Sequence, residues 1–198
     1  MDYYTKDENG NAPIPTLGTD WTDVADLNYD NKGLRDAMTS DMMYWVKDEN
    51  IDGFRCDVAG NVPTDFWQKT IPELRKEKNI FMLAEAWEPE LLKENLFDMC
   101  YNWDGHHTMN DIAQGKKNVS DWDKLMEAVS KKYEANDILM NFVDNHDENS
   151  WNGTMKSRLG NAEEAMTALS YLAPGMPLVY SGDEYGLNHS LKFFEKDS

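Results

Sequence analysis

The strongest constraint on the fold is an alternation between short apolar runs and longer segments whose apolar residues recur at helical spacing. The apolar runs are too short to form helices and occupy residues 51–56, 80–84, 96–101, 138–143 and 177–181. Runs that are apolar at most positions indicate strands buried on both faces. The alternation therefore predicts an α/β fold with a parallel sheet covered by helices, either doubly wound or closed as a (β/α) barrel.

Five segments with helical signals accompany these strands. We expect helices over residues 31–48, from residue 64, over residues 89–95, from residue 120 and from residue 161. Thr64, Ser120 and Asn161 are the expected N-terminal caps, because their side chains can accept hydrogen bonds from the first helical amides. Pro72 is expected to split or kink the second helix, since proline has no amide hydrogen.

The first 30 residues differ from the rest of the chain. They are rich in Asp, Asn, Gly and Pro and show no sustained periodicity, so we expect residues 1–30 to be irregular and residues 31–198 to form the α/β part.

The charge of the chain restricts its partners. With 37 acidic and 19 basic side chains, the formal net charge is −18. A field this negative repels nucleic-acid phosphates and anionic lipid, so we expect no nucleic-acid partner. We also expect no membrane insertion, because no apolar run reaches the roughly 18 residues of a spanning helix. A neutral substrate or a cation fits this charge better.

Acidic residues follow three of the expected strands at their carboxyl ends. Asp57 follows the first strand, Glu85 the second and Asp147 the fourth. Both candidate folds bind ligands at this edge, but no glycine-rich phosphate loop follows any strand, so nucleotide binding has little support. Carboxylates gathered from several strand ends favour the mouth of a barrel.

Two of these carboxyl groups have surroundings that predict opposite protonation states. Arg55 stands two residues before Asp57, on the same side of the strand, and its charge favours ionised Asp57. Glu85 follows an apolar strand, where burial and neighbouring carboxylates favour the protonated form. Cleavage of a glycosidic bond requires this division, because one carboxyl group protonates the leaving oxygen and an ionised one attacks or stabilises the sugar.

The fourth strand ends in a polar cluster. Asn145 and Asp147 share a face, His146 can donate to a sugar hydroxyl, and Asp147 adds a third carboxylate. Trp87, two residues beyond Glu85, is the best candidate for a sugar-stacking aromatic ring. Taken singly, such acidic residues are usually solvated surface and such histidines and tryptophans are usually structural. The hypothesis therefore depends on the joint pattern.

Other polar and sulfur groups have simpler interpretations. His106 and His107 lie beside Asp104, but adjacent histidines lack the i, i+4 spacing of helical zinc ligands, so a polar loop is favoured and no metal ligand is assigned. Cys56 and Cys100 fit neither a metal-ligand spacing nor a disulfide framework, so buried free thiols are expected.

Several stretches of the chain form an ordered set of motifs. They read Ala-Asp-Leu-Asn at 25–28, Asp-Gly-Phe-Arg-Cys-Asp at 52–57, Leu-Ala-Glu-Ala-Trp at 83–87, Phe-Val-Asp-Asn-His-Asp at 142–147 and Tyr-Ser-Gly-Asp-Glu at 180–184. In order and spacing this set resembles the α-amylase family, glycoside hydrolase family thirteen, whose catalytic domain is a (β/α) barrel. The middle three resemble that family's motifs at strands four, five and seven.

The resemblance implies a role for each motif residue. Asp57 would be the nucleophile, held in place by Arg55, and Glu85 the general acid and base. His146 would contact the substrate, and Asp147 would stabilise the transition state. The expected substrate-binding residues also include Asn145, Trp87 and Asn61.

The resemblance also implies the ligands. The substrate would be a starch-like α-1,4-linked glucan or a maltooligosaccharide, and the chemistry would need no cofactor. Gly60 and Asn61 stand where many α-amylases carry Lys-His, a pair that helps to bind substrate and calcium. This departure resembles the neopullulanase and maltogenic-amylase-like branches and weakens the transfer of that calcium site. If the intact enzyme holds calcium, its role would be structural.

The family's strand-three motif is absent from the chain, so the resemblance implies an incomplete TIM (β/α)8 barrel, truncated at both ends. Residues 1–30 would be the end of the loop domain after strand three, and residues 31–198 would carry strands 4 to 8 with their helices. We expect such a piece to be inactive alone and to self-associate through unpaired strand edges.

Three alternatives remain open at this point. An α-glucosidase or a transglycosylase of the same family would share all three carboxylates. Acids at barrel-strand ends ligate Mg²⁺ in other enzymes, although Arg55 beside Asp57 argues against a dication there. The third alternative is a non-catalytic carbohydrate-binding or structural fragment.

Overall fold

Short strands alternate with helices in the computed structural model, which describes residues 3–11, 13–16 and 18–196. The strands are β1 (Gly53–Cys56), β2 (Phe81–Ala84), β3 (Met99–Tyr101), β4 (Ile138–Asn141) and β5 (Met176–Pro177). The α-helices are α1 (Lys32–Lys47), α2 (Thr64–Glu77), α3 (Trp103–Ala113), α4 (Val119–Lys132), α5 (Met155–Leu159) and α6 (Glu163–Leu172). Met1–Met82 and Leu83–Ser198 are two compact units, and each is described by itself below.

The strands form one sheet in chain order, β1-β2-β3-β4-β5. In the parallel pairing of β2 with β3 and β3 with β4, Ala84 lies opposite Cys100 and Cys100 opposite Leu139. The predicted α/β architecture with a parallel sheet is therefore confirmed. The last strand is shorter than its apolar run. The Leu178 amide still donates to the Asn141 carbonyl of β4 at 2.8 Å, but the Tyr180 amide donates to the Asp183 carboxylate at 3.0 Å instead.

The described part of residues 3–30 contains no helix, and its one isolated bridge pairs Tyr4 with Leu27. Backbone hydrogen bonds, such as that from the Thr5 amide to the Asp26 carbonyl at 2.9 Å, and side-chain hydrogen bonds organise it instead. The Asp26 carboxylate accepts from the Thr5 hydroxyl at 2.5 Å and from the Thr16 hydroxyl at 3.0 Å. The described part of this segment is therefore ordered by hydrogen bonds without a helix.

The two helices of the first unit lie close to their predicted positions. The Asn31 side chain accepts from the Leu34 amide at 3.2 Å and caps α1. Thr64 is the first residue of α2 rather than its cap, because Pro63 occupies the cap position without a side-chain hydrogen bond. The predicted split at Pro72 is wrong, since α2 runs through it as one helix. Burial of its apolar face, which includes Ile71 at 0% exposure, compensates for the missing hydrogen bond.

Helix α4 starts earlier than predicted. The cap is Asn118 rather than Ser120, because the Asn118 side chain accepts from the Ser120 amide at 2.9 Å. The Asp121 carboxylate in turn accepts from the Asn118 amide at 3.0 Å and completes a capping box.

Two other segments also differ from the sequence prediction. Residues 89–95 form two 3₁₀ turns instead of one helix, because Glu94 and Asn95 have φ values of 57° and 56°. Helix α6 has Ala162 at its cap position, and Asn161 lies in the preceding 3₁₀ turn, so the predicted Asn161 cap is wrong.

His106 and His107, interpreted from the sequence as part of a polar loop, lie in helix α3 (Trp103–Ala113). The Asn102 side chain accepts from the Gly105 amide at 3.0 Å and caps it. Its inward face carries the buried residues His106 and Met109, and Met109 belongs to an apolar cluster with Val143. Polar residues on the buried face hid the helical period. None of the helices within the described residues is both long and apolar enough to cross a bilayer.

Candidate active site

Arg55 and Asp57 form an ion pair at the carboxyl end of β1, as their spacing predicted. The Arg55 Nη1 donates to Asp57 Oδ1, and the Asp57 side chain is 76% exposed. The chain then turns at Val58, which has a left-handed backbone with φ of 44° and ψ of 44°. The following 3₁₀ turn ends at Asn61, which is exposed. This turn presents both the Asp57 carboxylate and Asn61 to solvent.

The thiol groups of Cys56 in β1 and Cys100 in β3 both have raised pKa values and are protonated at neutral pH. Burial raises the pKa of Cys56 to about 12, although the nearby Arg55 charge opposes the shift. Burial, with a smaller contribution from Asp137, raises the pKa of Cys100 to about 12 as well. Both cysteines are free, as expected. Cys100 is buried, whereas Cys56 is only half-buried.

Glu85 directly follows β2 in the second unit and is half-buried. The backbone after it is fixed at two points. The carbonyl of Ala86 accepts from the Tyr101 amide at 3.0 Å, and the carbonyl of Trp87 accepts from the Tyr133 hydroxyl at 2.6 Å. Burial raises the pKa of Tyr133, so this donor stays protonated. The Trp87 side chain is 47% exposed, which leaves its ring available for stacking.

The polar cluster after β4 contains one buried and two accessible side chains. Asn145 is 1% exposed, and its Oδ1 accepts from the Glu148 amide at 2.7 Å. Its Nδ2 has no hydrogen-bond partner among the described residues. His146 Nε2 lies 3.4 Å from Asp147 Oδ2, with side chains 44% and 32% exposed. His146 and Asp147 can therefore reach a ligand, whereas Asn145 holds the turn below them.

A buried ion pair supports this turn. Arg158 Nη2 donates to Asp144 Oδ1 at 2.7 Å, and the two side chains are 7% and 3% exposed. Both terminal nitrogens of Arg158 also donate to the Val143 carbonyl at 3.0 Å. Burial raises the pKa of Asp144, and the Arg158 charge only partly offsets this. Arg158 on α5 thus fixes the backbone just before Asn145.

Glu148 extends the pair into a network. Its Oε2 lies 3.1 Å from His106 Nε2 and 3.8 Å from Arg158 Nη1. Burial alone would raise the pKa of Glu148, but the hydrogen bond from His106 and the charges of His106 and Arg158 lower it overall. His106 Nδ1 donates to the Phe142 carbonyl at 3.2 Å, and its ring stacks on the Phe142 ring at 4.5 Å. We call Asp144, Glu148, His106 and Arg158 the buried ion network.

A small cavity of about 230 Å³ lies between α6 and the segment after β5. Its lining includes Asp183 and Glu184 together with Val143 and Tyr171. Burial raises the pKa of Asp183 to about 6, and the Asp144 and Glu184 charges add to this, against the hydrogen bond from the Tyr180 amide. Within the described residues no group of three His, Cys, Asp or Glu side chains could hold a metal ion.

The predicted site residues are divided between the two compact units of the chain. Glu85, Trp87 and the cluster of Asn145, His146 and Asp147 belong to the second unit, and Arg55, Asp57 and Asn61 to the first. Sequence reasoning missed Arg158 and Glu148 and interpreted His106 as a loop residue. No local spacing signals these three, because their partners come from different helices and from the segment just after β4.

Comparison with known proteins matches the chain to larger carbohydrate-active proteins. The family model described as alpha amylase, catalytic domain, matches residues 16–197. Alpha-amylase MalA of Haloarcula japonica is 25% identical over 178 residues, covering 87% of this chain and 26% of that protein. The 4-alpha-glucanotransferase of Thermotoga maritima is 31% identical over 180 residues, covering 82% of this chain and 37% of that protein.

A solved structure matches the fold. The crystal structure of maltogenic alpha-amylase AmyB from Thermotoga neapolitana gives a TM-score of 0.84 at 33% identity and covers 97% of this chain and 44% of that one. The chain thus spans only 26% and 37% of the two curated relatives. Its parallel architecture and this partial coverage confirm the prediction of an incomplete (β/α) barrel.

Proposed function

Because the chain belongs to the α-amylase catalytic-domain family, we propose that it carries the catalytic carboxylates of a retaining α-glucan hydrolase. The substrates are starch-like α-1,4-linked glucans or maltooligosaccharides, in keeping with the names of its amylase relatives. In this proposal residues 1–30 are the end of a loop domain, and residues 31–198 are part of the catalytic barrel.

Two carboxyl groups carry out the bond changes. Asp57 attacks the anomeric carbon while Glu85 protonates the leaving oxygen, so a covalent glycosyl-enzyme forms and the leaving sugar departs. Glu85, now ionised, removes a proton from water, which attacks the anomeric carbon and releases Asp57. Nucleophile, acid and base all come from these side chains, so the proposed chemistry needs no cofactor.

The remaining residues orient the sugar and stabilise charge. Arg55 keeps the Asp57 carboxylate oriented through their ion pair. Asp147 stabilises the positive charge that develops on the reacting ring, and His146 donates to a hydroxyl of that ring. Trp87 stacks on a neighbouring sugar. Asn61 completes the proposed set of substrate-binding residues, whereas Asn145, predicted from the sequence to bind substrate, is buried and positions the turn that carries His146 and Asp147.

The observation that carries this proposal is the position of each carboxylate at the carboxyl end of a strand. Asp57 and Glu85 are the first residues after β1 and β2, and Asp147 follows β4 by six positions. Ligand groups of (β/α) barrels come from this edge, where loops vary without disturbing the sheet.

The test uses the protein expressed with a complete catalytic barrel. Asp57→Asn should lower kcat on maltoheptaose by at least about a thousandfold, since the nucleophile is lost. Asp52→Asn is the matched control, because Asp52 lies just before β1, is 94% exposed and pairs with Lys78. Equal activity of the Asp57→Asn and Asp52→Asn variants would rule out the assignment.

The proposed role of Glu85 as general acid is tested by changing the leaving group of the substrate. Glu85→Gln should abolish hydrolysis of maltoheptaose but leave the first step intact on an aryl maltoside with a strongly acidic phenol, which departs without protonation. A burst of phenol would support the acid and base role. An equal loss on both substrates would contradict it.

A transglycosylase is the second candidate, because the 31% identical relative from Thermotoga maritima is a glucanotransferase. It would use the same three carboxylates and transfer the glycosyl group to a sugar instead of water. Product analysis of maltotriose reactions, with and without added glucose as acceptor, separates the two. Longer products would identify a transferase.

A further inference from the structure

Three exposed aromatic side chains form one continuous surface in the second unit. Trp151 lies 5.4 Å from Phe193 and 6.1 Å from Phe194 between ring centroids, and the two phenylalanines are 5.1 Å apart. Trp151, Phe193 and Phe194 are 61%, 44% and 71% exposed. We call these three residues the aromatic surface. Contiguous exposed apolar patches, especially those bordered by polar residues, mark interaction or ligand-binding sites.

Buried polar side chains hold the two stretches that carry this surface. Asn149, which is 1% exposed, accepts from the Leu191 amide at 2.7 Å and donates to the His189 carbonyl at 3.3 Å. The Thr154 hydroxyl, in a residue 8% exposed, donates to Asn188 Oδ1 at 2.8 Å. The aromatic surface is therefore positioned by a specific set of hydrogen bonds.

The aromatic surface also continues directly from the polar cluster after β4. The ring of His146 lies 6.1 Å from the ring of Phe193 in a stacked arrangement, with an interplanar angle of 28°. His146 in turn lies beside Asp147. A ligand that touches His146 thus has an apolar aromatic surface next to it.

We propose that the aromatic surface binds one glucosyl unit of the α-glucan, adjacent to the unit contacted by His146. This inference rests on the proposed function. A pyranose ring presents C–H groups on its faces and hydroxyls at its rim, so it stacks on an aromatic ring while its rim stays hydrated. A neutral sugar also fits a chain of net charge −18, which would repel an anionic ligand.

The test measures maltoheptaose kinetics in the protein with a complete barrel. Trp151→Leu keeps an apolar side chain but loses the ring, and Trp151→Phe keeps a ring as the matched control. We expect Trp151→Leu to lower kcat/KM about fivefold to tenfold through KM, with kcat nearly unchanged. Trp151→Phe should stay within about twofold of wild type. Phe194→Leu should act in the same direction as Trp151→Leu.

Other outcomes overturn the inference without touching the proposed function. Unchanged KM in Trp151→Leu and Phe194→Leu would mean that no sugar binds there. An oligomer seen by light scattering that dissociates in Trp151→Leu, with KM unchanged, would assign the surface to a second copy.

Failure of the proposed function can be distinguished from failure of this inference, because wild type would then hydrolyse no α-glucan. In that case isothermal titration of maltoheptaose still tests whether the aromatic surface binds sugar. Binding that Trp151→Leu weakens and Trp151→Phe retains would support it. Equal binding by all three proteins, or no binding by wild type, would overturn it.

Discussion

Replacing Arg158 by methionine tests whether the buried ion network holds the polar cluster after β4. Methionine fills a similar volume but carries no charge, so Asp144 would remain buried without its cation. The Arg158 and Asp144 side chains are 7% and 3% exposed, which makes this a buried pair rather than a surface one. Removing one partner of such a pair costs about 3 to 5 kcal/mol.

The hydrogen bonds of Arg158 suggest the upper half of that range. Besides Asp144, its side chain donates to the Gly153 carbonyl and to Asn110 Oδ1, both at 3.1 Å, and to the Val143 carbonyl. We therefore expect Arg158→Met to lower the free energy of unfolding by about 4 kcal/mol. Urea unfolding of the protein with its complete catalytic barrel measures this change.

Lys156→Met on the same helix is the matched control. Lys156 is 54% exposed and pairs with Glu163 at 3.5 Å, so its loss should cost less than about 1 kcal/mol. Adding Asp144→Asn to Arg158→Met removes the stranded charge and should restore part of the lost stability. The reasoning is refuted if Arg158→Met costs no more than Lys156→Met, or if the second substitution only adds a further loss.

The same variant has a defined pH dependence. Burial raises the pKa of Asp144 above its value in the unfolded chain. Ionisation of Asp144 therefore lowers the free energy of unfolding, and this loss grows as the pH rises from the unfolded pKa to the folded pKa. Loss of the Arg158 charge raises the pKa of Asp144 further. The deficit of Arg158→Met should therefore be smaller at acidic pH than at neutral pH.

Three further predictions concern the Asp183 carboxyl group, the cap of α4 and the 198-residue chain expressed alone. Burial raises the pKa of Asp183 from 3.8 to about 6, so the free energy of unfolding of wild type falls as the pH rises from about 4 to about 6. Asp183→Asn should remove that fall, which is measured as urea midpoints at the two pH limits. Asn118→Ala should lower the free energy of unfolding by about 1 kcal/mol in the same assay, whereas Ser120→Ala should change it little; the reverse order would contradict the assignment of the cap. The 198-residue chain expressed alone should be inactive on maltoheptaose and should self-associate, so a monodisperse, active monomer in light scattering would contradict this prediction.

The strands and most helices could be predicted because burial imposes a period on the sequence. The apolar residues of α1 and α2 recur along one face, and residues 80–84 before Glu85 form a continuous apolar run. Helix α3 escaped prediction because its buried face carries His106, a polar residue whose place is set by stacking on Phe142. Periodicity measures hydrophobicity, so a polar group buried by specific partners is invisible to it.

The site residues also divide into those that the sequence predicts and those that it does not. The residues at strand ends could be named from local spacing, since Arg55 and Asp57 are two positions apart and their ion pair follows from strand geometry. Arg158 and Asp144 are 14 positions apart, and their contact depends on how α5 lies against the segment after β4. A tertiary contact of this kind leaves no periodic signal, so a single sequence did not reveal it.

The hydrogen bonds from Asn149 and Thr154 join two stretches that are more than 30 positions apart in the chain. The turn after β4 and the segment of residues 188–191 therefore form one structural unit rather than two independent loops. A loop exchange with a relative would need to transfer both together. Either one alone would lack its hydrogen-bond partners, and Phe193 would lose its position beside His146.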